Sequence, residues 1–192
     1  MFGAPHAVIG WVYETAHEPR RREVFAAARG HGHKIDGAGV IAASRLYTPG
    51  SIVRFLLSNS LGAMWREMHP NDADPAVVPL LVTDAMRTER PAMPLRDLRL
   101  LDPCCGCGAF LLPAFDMLAE LYARERVLAR SGRVPREWAV PAAEVPRTIV
   151  ERNLFGADLD ADAVAITASL LRERAGCDAA VNLAVPGLPL GS

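Results

Sequence analysis

Two groups of residues have the types and spacing to bind a small nucleotide-like ligand. The first is the turn 102–108, Asp-Pro-Cys-Cys-Gly-Cys-Gly, which follows the apolar run 98–101. The second is Asp158, which follows the run 154–157. Glycines let the backbone of such a turn approach a ligand, and the next helix directs its N-terminal amides at that ligand. A carboxylate after the second strand can accept hydrogen bonds from two ribose hydroxyls, so the pattern is typical of a nucleotide-binding α/β fold.

Each group on its own also fits a purely structural role. A glycine-rich turn can serve only to pack a helix on a sheet, and Asp158 could interact only with a helix dipole. Asp158 also lies further from the turn than the roughly 20 residues of the dinucleotide fingerprint, which argues against a plain NAD domain. The insertion 131–145 accounts for the extra length.

The cysteines of the turn suggest a different class of function. Cys104 and Cys107 have the spacing of a redox pair or of half a zinc site, close to a helix N-terminus that favours the thiolate. A zinc site needs about four ligands, and Cys177 with the scattered histidines supplies no second cysteine pair. We therefore expect no metal site and rank redox or metal function well below ligand binding.

The apolar spacing predicts the elements that must position these residues. A helix over 9–29 is predicted to be interrupted at Pro19 and to be followed by a glycine-rich loop. Thr48 as a cap with Pro49 at the first helical position predicts a helix that ends near residue 69. The loop glycines are Gly30, Gly32, Gly37 and Gly39, and the apolar face of the second helix is Ile52, Val53, Leu56, Leu57, Leu61 and Trp65.

Strands and helices alternate in the second half of the chain. The predicted elements are a strand over 98–101, a helix over 110–130, a short helix near 147–152, a strand over 154–157 and a helix over 162–174. This order predicts the first part of an α/β domain with a parallel sheet.

Length, charge and hydropathy limit the function classes. The 192 residues are enough for one domain-sized core, and 51% hydrophobic content is ordinary for a globular chain. A formal net charge of -1 makes strong polyanion binding by this chain alone unexpected. No apolar run approaches the roughly 20 residues of a membrane-spanning helix, and the N-terminus does not match a secretory signal. We therefore expect a cytoplasmic protein with no membrane partner.

Three motifs in the chain resemble those of N6-adenine DNA methyltransferases. The turn and its flank, 102–111, are similar to their D-P-A-C-G-S-G-x-F-L motif, and 153–160 resembles N-L-x-G-x-D-I-D. The run 46–49, Leu-Tyr-Thr-Pro, resembles the Y-T-P element that precedes the glycine motif. Further stretches are similar to the PglX-like methyltransferases of BREX phage-defence systems: 9–13, 23–25, 41–43, 59–62 and 114–118.

The resemblance implies a fold, a cofactor and partners. It implies a helical N-terminal segment, 1–95, followed by the first part of a Rossmann-like S-adenosylmethionine-dependent methyltransferase domain with an incomplete sheet, 96–192. The chain would correspond to the first half or less of the catalytic region of a much larger, site-specific adenine-N6 enzyme of a phage-defence or restriction-modification system. The implied partners are double-stranded DNA, for the full-length protein, and other subunits of a defence system.

The resemblance also implies roles for single residues. Thr48 and Pro49 would lie against the methionine end of S-adenosylmethionine, and Asp102, in the Asp102-Pro103 pair, would bind its amino group. Asp158 would bind the ribose and Leu159 would pack on the adenine. The cofactor carboxylate would be held by backbone amides around Cys105, Gly106 and Gly108.

The sequence departs from the family pattern at three places. Cys104 and Cys107 replace an alanine and a serine, so a hydroxyl becomes a thiol that forms weaker hydrogen bonds. Gly187 stands where the family has an acidic or amide residue near the adenine. No Pro-Pro pair occurs in the 192 residues, whereas the family transfers the methyl group with an (Asn/Asp)-Pro-Pro-(Tyr/Phe) motif. We therefore expect no catalytic residue and no methyl transfer by these residues alone, and an inactive truncated module that binds cofactor or a partner chain stays open as an alternative.

Overall fold

A computed structural model describes residues 4–31, 34–46, 48–72, 80–82 and 90–186 of the chain. The described part is a mixed α/β structure, mostly helical, with a small sheet of three parallel strands. None of its helices is both long and apolar enough to cross a membrane.

The N-terminal helix α1, Ala4–His31, continues through Pro19, so the predicted interruption was wrong. A proline inside a helix removes one backbone hydrogen bond. Ion pairs between residues one turn apart span Pro19 or follow it and support the helix there. Glu18 pairs with Arg21 and, at 2.8 Å, with Arg22, and Arg20 pairs with Glu23 at 3.1 Å.

Helix α2, Gly37–Ser44, occupies part of the segment predicted as a glycine loop, and this prediction was also wrong. The Asp36 side chain caps the helix because it accepts a hydrogen bond from the Gly39 amide at 2.6 Å. Gly30 lies within α1, and Gly32 lies outside the described residues.

The second predicted helix is two helices, α3, Gly50–Asn59, and α4, Leu61–Met68, separated at Ser60. The helix begins one residue later than predicted: Pro49, and not Thr48, occupies the N-cap position, and no side-chain cap from the described residues is present there. The expected apolar face is only partly buried: its buried members are Val53, Leu57, Leu61 and Trp65, while Ile52 and Leu56 are about half exposed. Ile52 and Leu56 lie one residue before Val53 and Leu57, about 100° around the same helix, so the buried side of α3 is narrower than predicted.

The sheet has the order β1-β2-β3, with strands β1, Leu100–Asp102, β2, Leu154–Ala157, and β3, Asn182–Ala184. Asp102 is paired with Gly156, and Gly156 with Leu183. The predicted bounds of β2 are confirmed. β1 begins two residues later than predicted. A 3₁₀ turn, Leu95–Asp97, lies before it, and residues 98 and 99 connect this turn to the strand.

Helices cover the connections between the strands. Helix α5, Leu111–Arg130, follows β1, and helix α7, Ala161–Ala175, follows β2, both close to their predicted bounds. A 3₁₀ turn, Arg136–Trp138, lies in the insertion. The predicted short helix is α6, Val145–Thr148, continued by a single π-helical turn, Ile149–Asn153, that leads directly into β2.

A buried polar network fixes α5 against the chain that enters β1. The Glu125 carboxylate accepts a hydrogen bond from the Leu95 amide at 2.8 Å. The Asn153 side chain donates to the carbonyls of Leu95 and Leu98 at 2.7 and 2.8 Å and accepts from the Tyr122 hydroxyl at 2.9 Å. Because these groups lie inside the main hydrophobic core, their hydrogen bonds set the register between α5 and β1.

Gly156 packs closely against β3, α5 and the turn after β1. A Cβ atom there would lie 2.7 Å from Leu183, 2.9 Å from Leu111 and 3.2 Å from Cys105 side-chain atoms. We expect Gly156→Ala to lower the free energy of unfolding by about 1–3 kcal/mol, because the core would be overpacked. Urea denaturation measures this change. Gly50→Ala, where no described atom lies within 4 Å of the new Cβ, is the control, and an equal effect of both substitutions would contradict the packing argument.

Candidate functional site

The candidate site lies at the carboxyl ends of β1 and β2. Asp102 is the last residue of β1, and Asp158 follows β2 directly. Because the two strands are parallel neighbours, both acids reach the same edge of the sheet. Gly106 and Gly108 in the intervening turn have φ values of 48° and 81°, a region that favours glycine.

Hydrogen bonds hold the turn over this edge of the sheet. The Cys105 amide donates to the Ala157 carbonyl at 2.9 Å, and the Gly106 amide donates to Asp158 Oδ2 at 2.8 Å. From α7, the Thr167 hydroxyl donates to the Gly106 carbonyl at 2.7 Å. The turn, the end of β2 and helix α7 therefore form one connected structure.

Asp102 has one carboxylate oxygen in use and one without a partner. Oδ1 accepts a hydrogen bond from the Cys104 amide at 3.1 Å. Oδ2 is buried and has no hydrogen-bond partner among the described residues. Burial raises the pKa of Asp102, the Cys104 amide opposes this shift, and the negative charge of Asp158 adds to it. A cationic donor placed at Oδ2 would remove the energetic penalty of this buried, unpaired oxygen.

Asp158 is held on both oxygens and keeps free acceptor capacity. Oδ2 accepts from the Gly106 amide, and Oδ1 accepts from the Asp160 amide at 2.9 Å. An ionised carboxylate can accept about four hydrogen bonds, so roughly two remain for a ligand. The Asp158 amide donates to the Ala184 carbonyl at 3.1 Å, which fixes its backbone against the end of β3.

The cysteines of the turn differ in environment. Cys105, in the middle of the turn, is buried. Burial, with the nearby Asp102 and Asp158, raises its pKa to about 12. Cys104 is exposed and Cys107 is buried, so the two cysteines that have the spacing of a redox pair do not share one environment. Across the described residues, no group of three or more His, Cys, Asp or Glu side chains is arranged to hold a metal ion.

Backbone amides of the turn already serve internal hydrogen bonds. The amides of Cys105 and Gly106 donate to Ala157 and Asp158, and the Gly108 amide donates to the Cys105 carbonyl at 2.8 Å. Their role in holding a cofactor carboxylate stays a prediction. A Cβ at Gly108 would lie 3.2 Å from Leu112 and Thr167, so glycine is required there by packing as well as by φ.

The remaining predicted site residues lie in two parts of the chain, beside the two acids and at the start of α3. Leu159 is half-buried between Asp158 and the cap of α7, and Pro103 is exposed at the start of the turn. Thr48 is half-buried and Pro49 exposed, at the start of α3. Arg45 forms an ion pair with Asp160. Thr48 is three residues after Arg45, so an extended chain can place it at most about 11 Å from Arg45. The roles of these four residues in cofactor binding stay predictions.

The structure adds a cluster that the motifs did not indicate, which we call the Asp160 cluster: Tyr13, Arg45 and Asp160. Asp160 Oδ2 accepts from the Tyr13 hydroxyl at 2.9 Å and from Arg45 Nε at 2.6 Å. Burial opposes ionisation of Asp160, but the hydrogen bonds from Arg45 and Tyr13 outweigh it and lower its pKa. In the sequence, Asp160 is the last residue of the 153–160 motif and precedes a predicted helix, but nothing indicates the partners 115 and 147 positions away.

Comparison with known proteins shows which proteins the chain is similar to in sequence. No protein-family model matches the chain. In an alignment 163 residues long that covers 80% of the chain, it is 26% identical to the adenine-specific methyltransferase BrxX of Escherichia coli O9:H4 (strain HS). In an alignment 180 residues long that covers 86% of the chain, it is 28% identical to the adenine-specific methyltransferase PglX of Lacticaseibacillus casei (strain Zhang).

The chain is therefore a mixed α/β protein with methyltransferase homology. In particular, it is homologous to the adenine-specific methyltransferases BrxX and PglX, which confirms the resemblance found in its motifs. The aligned region spans 12% and 14% of the length of these two relatives.

Proposed function

We propose that the chain is the cofactor-binding part of an adenine-N6 DNA methyltransferase and binds S-adenosylmethionine at the carboxyl ends of β1 and β2. The observation that carries this proposal is the pair of acids at adjacent strand ends, one with a buried unpaired oxygen and one with spare acceptor capacity. In this proposal, residues 96–192 are the first part of a Rossmann-like domain, and residues 1–95 are the helical segment before it.

The two acids fit the two polar ends of the cofactor. Asp102 Oδ2 would accept a hydrogen bond from the ammonium group of the methionine part, which supplies the positive charge that this buried oxygen lacks. Asp158 would accept hydrogen bonds from the two ribose hydroxyls with the acceptor capacity that Gly106 and Asp160 leave open.

The other predicted contacts complete the proposed site. Helix α5 begins shortly after the turn, and the N-terminus of a helix is suited to a carboxylate group because its first amides lack partners within the helix. Here the Leu112 amide already donates to the Gly108 carbonyl at 3.0 Å and Pro113 has no amide, so fewer amides than usual would serve the cofactor. Leu159 would supply an apolar surface for the adenine, and Thr48 with Pro49 would border the methionine end. When bound, the cofactor supplies a sulfonium methyl group for transfer. The residues of this chain bind and orient the cofactor.

For the longer protein, we propose site-specific methylation of adenine N6 in double-stranded DNA, within a phage-defence system in the cytoplasm. Homology to BrxX and PglX supports this proposal. The 192 residues contain no Pro-Pro pair, so we assign cofactor binding, and not methyl transfer, to them. Asp158 and Asp102 would then prepare the cofactor for a target adenine bound by other residues.

Calorimetric titration of S-adenosylmethionine into the purified chain tests the proposed site. We expect saturable binding that Asp158→Ala weakens roughly 10- to 100-fold, because the substitution removes two hydrogen bonds to the ribose and releases the Gly106 amide. Asp162→Ala is the matched control, since Asp162 is an exposed acid in the first turn of α7. Its affinity should stay within about twofold of that of the original chain.

The titration can also contradict the proposal. If a chain with a cooperative unfolding transition shows no binding, the site does not hold this cofactor and the alternative of a partner-binding module gains support. If Asp158→Ala and Asp162→Ala weaken binding equally, the loss reflects general charge near α7 and not a ribose contact.

A further inference from the structure

The Asp160 cluster connects the N-terminal helices to the candidate ribose acid. Asp160 is the N-cap of α7, and its side chain is only 6% exposed. Its backbone amide donates to Asp158 Oδ1 at 2.9 Å. One residue therefore contacts Tyr13 of α1 and Arg45 after α2 with its side chain, and Asp158 with its backbone.

Capping of α7 does not account for both oxygens of Asp160. Oδ1 lies 3.2 and 3.4 Å from the amides of Asp162 and Ala163, which is the capping interaction. Oδ2 is the oxygen that accepts from Tyr13 and Arg45. A helix cap alone needs no partner on Oδ2, so these two contacts serve the attachment of the N-terminal segment.

The Arg45 and Tyr13 side chains are also fixed against each other. The Arg45 guanidinium carbon lies 5.4 Å from the centroid of the Tyr13 ring, and the Arg45 side chain is only 18% exposed. This cation–π contact orients the guanidinium toward Asp160. If Tyr13 or Arg45 is removed, the buried Asp160 carboxylate loses one of the hydrogen-bond donors that offset its desolvation, and Asp160 must move toward solvent.

We infer that Tyr13 and Arg45 are positioning residues that hold Asp158 in its cofactor-binding orientation through Asp160. Movement of Asp160 displaces the backbone amide that fixes Asp158 Oδ1. Attachment of α1 and of the end of α2 to Asp160 and cofactor binding therefore stabilise each other, since coupling between two sites is reciprocal. This inference rests on the proposed cofactor site.

The test combines cofactor titration with hydrogen exchange on the full 192-residue chain. We expect Tyr13→Phe and Arg45→Gln to weaken S-adenosylmethionine binding roughly 5- to 10-fold, and Arg45→Lys, which keeps the charge, to recover part of the loss. Saturating cofactor should slow amide exchange in α1 of the original chain, and this protection should be smaller in Tyr13→Phe. If Tyr13 had only a structural role, the protection of the α1 amides from exchange would not depend on cofactor.

Tyr122→Phe is the matched control, because it also deletes one tyrosine hydroxyl that donates at 2.9 Å, here to Asn153 in the core. We expect it to lower stability and to leave cofactor affinity within about twofold. If the original chain binds cofactor and Tyr13→Phe and Arg45→Gln bind it equally well, the coupling is overturned and the proposed cofactor site stands. If the original chain does not bind cofactor, both are overturned.

Discussion

Asp102→Asn is expected to raise the free energy of unfolding of the cofactor-free chain and to weaken S-adenosylmethionine binding by roughly 100-fold. The carboxylate has a buried oxygen without a partner among the described residues, and burial raises its pKa. A raised folded-state pKa means that ionisation disfavours the folded state, and this penalty grows as pH rises above the ordinary value of 3.8. Asparagine keeps an acceptor for the Cys104 amide and removes the charge.

The same charge is what the proposed site needs for the cofactor ammonium group. Its removal leaves a buried ammonium facing a neutral amide, which accounts for the large expected loss in affinity. Thermal unfolding and calorimetry at pH 7 measure the two effects. Asp97→Asn, at a half-exposed acid just before β1, is the control and should change neither quantity much. A less stable Asp102→Asn chain with unchanged affinity would show that Asp102 has a structural and not a binding role.

Glu125→Gln is expected to stabilise the chain by about 3 kcal/mol above pH 7, with a gain that disappears near pH 4.5. Glu125 is fully buried, and its Oε2 has no partner among the described residues. Burial raises its pKa from 4.5 to about 7, although the Leu95 amide and Arg96 oppose the shift. The folded chain therefore binds a proton that the unfolded chain has lost between these two pH values.

The sign of the effect follows from the raised pKa. Below pH 4.5, Glu125 is protonated in both states and the folded chain carries no penalty from it. As pH rises toward 7, the unfolded chain gains the free energy of ionisation and the stability of the original chain falls. Glutamine resembles the protonated acid at every pH and can still accept from the Leu95 amide, so the stability of the Glu125→Gln chain should fall less in this window than that of the original chain.

Urea denaturation at several pH values between 4.5 and 8 measures the difference between the two chains. Glu173→Gln, at an exposed acid in the last turn of α7, is the control and should stay within about 0.5 kcal/mol of the original chain throughout. A constant difference between Glu125→Gln and the original chain across this pH range would contradict the assignment of Glu125 as the titrating group.

Local patterns predicted the part of the fold that contains the site. The bounds of β2, and nearly those of α5 and α7, follow from apolar spacing and glycine positions within the segments themselves. The turn between β1 and α5 and the position of Asp158 after β2 have the same local origin. Because parallel neighbouring strands end at one edge, these local features bring Asp102 and Asp158 to the same edge of the sheet once β1 and β2 pair.

Local patterns failed where other interactions outweigh the preference of a residue. Pro19 lies inside α1 because the rest of the helix and its ion pairs outweigh one missing hydrogen bond. Gly37 and Gly39 lie in α2 because Asp36 caps that helix. In each case the residue type disfavours a helix by itself, and the surrounding contacts decide the outcome.

The sequence by itself determined the β1 turn, the strand before Asp158 and the family resemblance, because each depends on residues close together along the chain. Only the tertiary structure decided that Asp160 binds Tyr13 and Arg45, and that Glu125 is buried against Leu95. These contacts join residues 30 to 147 positions apart. Their geometry depends on how helices pack around the sheet, and no local spacing of residue types encodes that packing.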